Sequence, residues 1–337
     1  MGRRAGSILI IACALALGAS LRAAKTLDLY FIDVEGGQST LIVTPAGESM
    51  LVDAGYGTFN NRDPDRVMAA VHDAGLTRID YMWTTHFHGD HVGGVPEVSR
   101  RIPIRTFLDY GEPVESGNGA RRLYDAYLAV RANGRYIRPN PGDRIPLEGL
   151  DVDVVSVAGD LIKTPLGGAG GVNPACTTLG PKDNDETENP RSLGFRLKYG
   201  RFHFVDLGDL SGLNLASVFC PENLVGRADL YLVTHHGNLD TDIPAVLAGL
   251  HPRVALLNNG VWKGGHPDTF RDLRQVAGLE DVWQLHKSQN DGAENFADDR
   301  IANLDESTGY GIKVSASEDG SFTVKNQRTS ETKRYPR

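Results

Sequence analysis

Cysteine is scarce in this 337-residue chain: there are three, Cys13, Cys176 and Cys220. Such a count excludes a disulfide-dense scaffold. Long apolar runs are missing too. The stretch from Ser7 to Ala19 is too short to cross a bilayer comfortably, and the sequence offers no other transmembrane candidate. A basic excess is also absent. The formal net charge is −8, which disfavours a long polyanion as partner. Apolar residues make up 40% of the chain, enough for a substantial core in one large domain or two small ones.

Arg3 and Arg4 ahead of that apolar stretch, and small residues after it, give residues 1–24 the shape of a secretory signal. An uncleaved anchor is the competing reading. A lipoprotein box around Cys13 fits less well, because apolar sequence continues beyond it. Cleavage near Ser20 to Ala24 would remove Arg3, Arg4 and Arg22 and bring the charge to −11. It would deliver the protein to the periplasm or the medium with no stable membrane span. In an oxidising compartment Cys176 and Cys220 could pair, or they could be two buried thiols; two cysteines license neither.

The mature sequence reads as one domain over residues 25–325, followed by a basic tail at 326–337 that is expected to fray. Leu27 to Val34, Ser39 to Thr44 and Ser49 to Val52 read as strands broken by glycine and proline, an antiparallel start. Val67, Met68, Val71 and Ala74 have helical spacing, with Gly75 as a stop. Ile79 to Thr84 and Ile104 to Leu108 are further strands, and Ala120 to Ala132 a helix. A composition shift at about 160–190, rich in glycine and then acidic, marks a long loop insertion beside the core, read either as a flexible lid over the site or as a disordered surface segment. Strands resume at Ser192 to Tyr199 and Phe202 to Leu207. Strand-then-helix units follow at 230–250 and 254–276, and closing strands at 282–285, 311–315 and 321–325.

The hexad His86-Phe87-His88-Gly89-Asp90-His91 places three imidazoles and a carboxylate in six positions, just after the strand ending at Thr84. Imidazole nitrogens and carboxylate oxygens are what zinc and related divalent ions take as ligands. One hexad cannot complete a site for two ions. Asp209, His235, His236 and His266 stand at the ends of later predicted strands, where loops carry function on a rigid scaffold. Neighbouring histidines in extended chain point apart, so only one of His235 and His236 is expected to reach the centre. His72, His203, His251 and His286 lack such context and read as structural.

The hexad, with Thr85 before it and Val92-Gly93-Gly94 after it, resembles the signature of the metallo-β-lactamase superfamily. Other segments are similar to one branch, the hydrolase domain of the competence DNA-uptake channel (ComEC-like). They are Phe31-Ile32-Asp33-Val34, Leu51-Val52-Asp53-Ala54-Gly55, Asn189-Pro190-Arg191, Gly208-Asp209, His235-His236-Gly237 and Gly265-His266-Pro267. The resemblance implies an α/β (α+β) fold, a four-layer αββα sandwich holding one or two divalent ions at its edge. It implies that His86 and His88 hold a first ion, Asp90, His91 and His266 a second, that Asp209 bridges them, and that Asp53 braces the site from behind. Many members supply a third histidine to the first ion. Here the aligned stretch is Glu188 to Ser192 and holds none, so Glu188, Asn189 or His235 would replace it, or the first position is weaker. Zinc is the expected metal, with manganese open where oxygen ligands predominate.

A divalent ion lowers the pKa of its bound water to near 7, so the expected chemistry is hydrolysis by a metal-bound hydroxide. Asp90 would orient the nucleophile, and His235 or His236 would stabilise developing charge or protonate the leaving group. The branch resemblance favours a phosphodiester or other phosphate ester as substrate, either a small molecule or nucleic acid. A lactone, thioester or β-lactam is the alternative, and a non-catalytic metal-binding module the reading outside enzymes.

Overall fold

The computed structural model describes Gly2 and residues 26–178, 185–239 and 243–337. The expected leader therefore lies outside the described residues, Gly2 apart. Within them no helix is long and apolar enough to cross a membrane.

The first half runs β1 (Leu27–Phe31), β2 (Thr40–Val43), β3 (Ser49–Val52), α1 (Arg62–Asp73), β4 (Ile79–Trp83), α2 (Gly89–Val92) and α3 (Val95–Arg101). It continues with β5 (Ile104–Leu108), α4 (Asn118–Arg131), β6 (Arg135–Ile137), β7 (Arg144–Ile145), β8 (Asp151–Val157) and β9 (Asp160–Leu161). The second half runs β10 (Gly194–Tyr199), β11 (Phe202–Asp206), α5 (Gly212–Phe219), β12 (Leu230–Leu232), α6 (Ile243–Leu250), β13 (Val254–Leu257) and α7 (Pro267–Arg274). It ends with β14 (Asp281–His286), β15 (Ile301–Asn303), β16 (Ile312–Ala316), β17 (Phe322–Asn326) and β18 (Thr332–Tyr335).

The strands form two nine-stranded sheets, one ordered β18-β17-β16-β1-β2-β3-β4-β5-β6 and the other β15-β14-β13-β12-β11-β10-β8-β7, with β9 on β8. Strand periodicity explains how the sheets bury both faces. In β11–β13, Phe204, Leu230, Leu232, Val254 and Leu256 join the core that both sheets share. Their alternates Val205, Tyr231, Ala255 and Leu257 join a second core with Leu215 and Phe219 of α5, Leu250 of α6 and Phe270 of α7. Val67 of α1, Val98 of α3 and Tyr127 of α4 belong to the shared core, beside the first sheet. The result is helix, sheet, sheet, helix, the expected four-layer sandwich. Trp83 clasps the layers: its ring meets Phe195 edge-on at 4.8 Å and its indole N–H donates to Leu193 O at 2.7 Å. Truncating a fully buried ring of this kind costs about 3–5 kcal/mol.

Two expectations change. The basic tail does not fray, because β18 pairs with β17 and Tyr335 stacks on Phe322 in the interior. The described part of the loop insertion is fastened to the outer side of the second sheet rather than closing over the hexad. Leu166 N and Gly170 N donate to Leu224 O and Asn223 O, and a disulfide joins Cys176 to Cys220 at the end of α5. Its last residues turn back towards the loop behind the hexad, where the Glu188 carboxylate accepts from Val114 N–H (2.6 Å) and Glu115 N–H (2.8 Å).

Candidate metal centre

The hexad lies where β4 ends, and every other contributor leaves the end of a neighbouring strand. Asp53 follows β3, Asp209 follows β11, and His235 and His236 follow β12. The backbone closes tightly here. A Cβ on Gly37 would fall 2.3 Å from Asp90 O, and one on Gly264, whose φ is +71°, would fall 2.3 Å from His236 O. Only glycine allows either approach.

Asp53 is fully buried and fixes the tautomers. Its Oδ1 accepts from Thr85 N–H (2.8 Å); its Oδ2 accepts from the Thr85 hydroxyl (2.5 Å) and from His91 Nδ1 (2.7 Å). His91 Nε2 is therefore left as a bare lone pair, assigned from this network. It points at Asp209 Oδ2 (3.1 Å) and Asp90 Oδ2 (3.2 Å). The Thr85 hydroxyl has spent its proton on Asp53, so it accepts from His86 Nδ1 (3.1 Å) and bares His86 Nε2. On the other side His88 Nε2 donates to Glu115 Oε1 (3.0 Å), which bares His88 Nδ1. The two bare nitrogens of His86 and His88 face each other at 3.0 Å. Lone pair against lone pair, or against carboxylate, is repulsive unless a proton or a cation lies between.

Asp90, His91, Asp209 and His236 each offer a ligand atom within 4.8 Å of the other three, and all four residues are buried. His236 Nε2 stands 3.3 Å from Asp209 Oδ2 and 3.4 Å from Asp90 Oδ2. Among the described residues none hydrogen-bonds either ring nitrogen of His236 or Asp209 Oδ1, although all three atoms are buried. Unpartnered buried polar atoms cost about 1–3 kcal/mol each, and divalent ions would relieve that penalty with hard-to-intermediate N and O donors. The residues fit such ions.

Electrostatics agree. Burial opposes charge on Asp209, yet His236, His91 and His235 outweigh it and hold the carboxyl well below its ordinary range. Asp90 is held well below in the same way, with His91, His236 and Lys263 overcoming burial. Burial likewise disfavours a proton on His91, but Asp209, Asp90 and Asp53 raise its pKa well above the ordinary value. A cation in the pocket would take the place of that proton, as metal binding to such sites does.

The structure does not bring every expected residue in. His266 caps α7, its Nδ1 accepting from Asp268 N–H (3.2 Å), and its side chain is 37% exposed. His236 stands with Asp90 and His91 instead. His235 also reaches the centre, its Nε2 3.6 Å from Asp209 Oδ2, so both histidines converge where alternation predicts one. Left-handed backbone is the cause: φ is 51° at His235 and 56° at His236, which abolishes the two-residue period. Glu188 is spent elsewhere, its carboxylate accepting from Tyr110 OH, Val114 N–H and Glu115 N–H.

Lys263, in the glycine-rich loop after β13, lays its ammonium on Asp90 Oδ2, a contact that its sequence does not announce. Glu115, behind His88, had no signal at all.

Residues 32–176 match the sequence profile of the metallo-beta-lactamase superfamily. The chain carries a metallo-β-lactamase superfamily domain. Within its fold the hexad and Asp53 come from the matched part, and Asp209, His235 and His236 from beyond it. An atrochrysone carboxyl ACP thioesterase from Aspergillus terreus is 34% identical over 92 residues, 27% of this chain. The match spans about a quarter of that curated relative as well, 27% of its length. Among solved structures, the metallo-beta-lactamase fold protein YhfI from Bacillus subtilis is 12% identical, with 77% of this chain and 96% of that one covered and a TM-score of 0.46. A diphosphatase from the PhnP family is 15% identical, with 76% and 94% covered and a TM-score of 0.42.

Proposed function

We propose that this protein is a metal-dependent hydrolase acting on a phosphodiester or another phosphate ester. One observation carries the hydrolase reading: the buried group Asp90, His91, Asp209 and His236, with its unpartnered ring and carboxylate atoms. His86 and His88 would hold one ion with Asp209, and His235 would stand in for the usual third histidine. Asp90, His91 and His236 would hold the second, also with Asp209. Zinc suits this nitrogen-rich set, and manganese fits the carboxylate share. Bound divalent ions supply a Lewis acid and water of lowered pKa.

The chain's own residues do the rest. Asp53 and Thr85 keep His91 and His86 in the ligating tautomer. Lys263 lies beside Asp90 with Tyr56 flanking it at 5.9 Å, so its ammonium sits where it can meet an anionic substrate oxygen. That cation supports a phosphoryl over an uncharged lactone.

The likeness of several segments to the ComEC-like branch supports a phosphodiester, and the charge of −8 favours a small one. The thioesterase relative favours a second reading, hydrolysis of a thioester. Export by the 24-residue leader is part of the proposal, and the Cys176–Cys220 disulfide supports an oxidising compartment.

The deciding experiment is a panel of bis-p-nitrophenyl phosphate, an acyl thioester and nitrocefin, run with zinc or manganese on native and His236→Ala protein. Turnover of the phosphodiester that vanishes in the variant is expected. Thioester or nitrocefin turnover alone would refute the substrate, and no metal-dependent turnover of any ester would refute the enzyme.

A further inference from the structure

Strands β11, β12 and β13 are parallel, so they start on one edge of the second sheet and end on the other. The metal centre takes the ends. At the starts, roughly 15–20 Å away by strand rise, lies a separate cavity of about 580 Å³. Arg196, Arg227, Arg253 and Arg337 line it against a single aspartate, Asp229, with His203 and His251 beside them. In a chain of net charge −8 that concentration of cations is against the overall balance.

The cavity is built, not a patch of loose side chains. Asp229 organises it, Oδ2 accepting from His203 N–H (2.9 Å) and Oδ1 from Arg337 Nη1 (2.7 Å), with Arg253 Nη1 at 3.8 Å. Arg253 is further held by Glu280 at 2.7 Å and by Pro336 O at 2.7 Å. Arg196 is 5% exposed and pinned by Asp153 (2.8 Å), Val225 O (2.9 Å) and Gly167 O (3.1 Å). Even so, Arg196 Nε and Arg253 Nη1 are buried with no hydrogen-bond acceptor. Arg227 and His251 are exposed, and among the described residues neither side chain has a partner. Three carboxylates (Asp153, Asp229 and Glu280) against four arginines, buried donors without acceptors and an arginine at the rim with none of these partners together define a site short of negative charge.

We infer that this cavity binds a small phosphate-bearing anion, at a site separate from the metal centre. Arginine's planar fork matches phosphate oxygens, and the volume lies within the range of ordinary ligand pockets. The phosphate could arrive free or on a nucleoside, and the two are separable by experiment.

The test titrates inorganic phosphate, and in parallel a nucleoside monophosphate, into native protein and into Arg227→Glu and Asp209→Asn, by isothermal titration calorimetry. Binding that persists in Asp209→Asn and weakens at least tenfold in Arg227→Glu is expected. Nucleotide affinity tenfold above that of phosphate supports the site with a nucleoside-borne source; equal affinities support it with free phosphate. Binding lost in Asp209→Asn and unchanged in Arg227→Glu places the anion on the metal centre and overturns the inference, as does the absence of binding to native protein at millimolar phosphate. Should Asp209→Asn not fold, His88→Ala, at the margin of the centre, takes its place.

Discussion

Replacing Asp53 by Asn tests the tautomer argument directly. The carboxylate accepts from three donors: Thr85 N–H, the Thr85 hydroxyl and His91 Nδ1. An amide of the same shape has one acceptor oxygen and one NH2 group. If the NH2 takes the Oδ1 place, it opposes Thr85 N–H, donor against donor. If it takes the Oδ2 place, His91 Nδ1 must become an acceptor, and the proton moves to Nε2, where it blocks ligation of Asp209's neighbour site. The second arrangement leaves no buried clash and should win. Loss of such an orienting partner costs 10–100-fold in metal affinity, or about 1.4–2.8 kcal/mol. Folding of the chelated protein should suffer less, because burial raises the Asp53 carboxyl pKa, and a neutral amide escapes that penalty. The assay is competition for zinc against a chromophoric chelator, beside melting of the chelated protein. An Asp53→Asn protein that binds zinc within twofold of native would refute the assignment of bare Nε2.

His236→Ala should lose bound metal, whereas His266→Ala should keep it and lose only a helix cap, about 1 kcal/mol of stability; metal analysis with urea denaturation separates them. Cys176→Ser opens a bridge across 44 residues and, by chain entropy, should lower stability by about 4 kcal/mol, read by denaturation with and without reductant. Burial pushes the Asp206 carboxyl up to about 7 from the ordinary 3.8, so the folded state binds its proton more tightly than the unfolded one. Stability from that group is full below pH ~4 and falls as pH rises towards 7, by about 4 kcal/mol at most. Asp206→Asn should therefore be the more stable protein at pH 8 and not at pH 4; identical pH profiles would contradict the shift. Lys263→Met should raise KM for a phosphodiester about tenfold or more with metal content unchanged, and an unaltered KM would remove the residue from substrate binding.

Strand and helix placement was readable where burial follows a simple period. Ile104 to Leu108 is a strand as its residues suggest, and Val67, Met68 and Val71 line the buried face of α1. What escaped obeys no local period. Asp151 to Val157 is buried on both faces, and its aspartates are offset by Arg144 and Arg196 from elsewhere in the chain, so β8 shows no alternation of its own. The tail looks solvent-bound because Lys333 and Arg334 are charged, but Tyr335 stacks on Phe322 and donates to Asp281, and those contacts fix β18.

The same distinction explains the centre. A hexad of histidines announces itself by composition, since no core needs three imidazoles in six positions. The choice between His236 and His266 is not in composition at all: both end in glycine-flanked loops after parallel strands. It is decided by backbone hand. Two consecutive non-glycine residues at positive φ are strained by about 1–3 kcal/mol each, and something must hold them there. His235 N–H donates to Gly208 O (3.0 Å) and Gly265 N–H to His236 O (2.9 Å). These bonds join the loop after β12 to the loops after β11 and β13. The strain at His235 and His236 is thus maintained by three loops at once, and it turns both rings onto Asp209, the residue that follows Gly208. Such a conformation depends on contacts 27 and more residues apart, which is why spacing along the chain could name the histidines and could not say which of them converge.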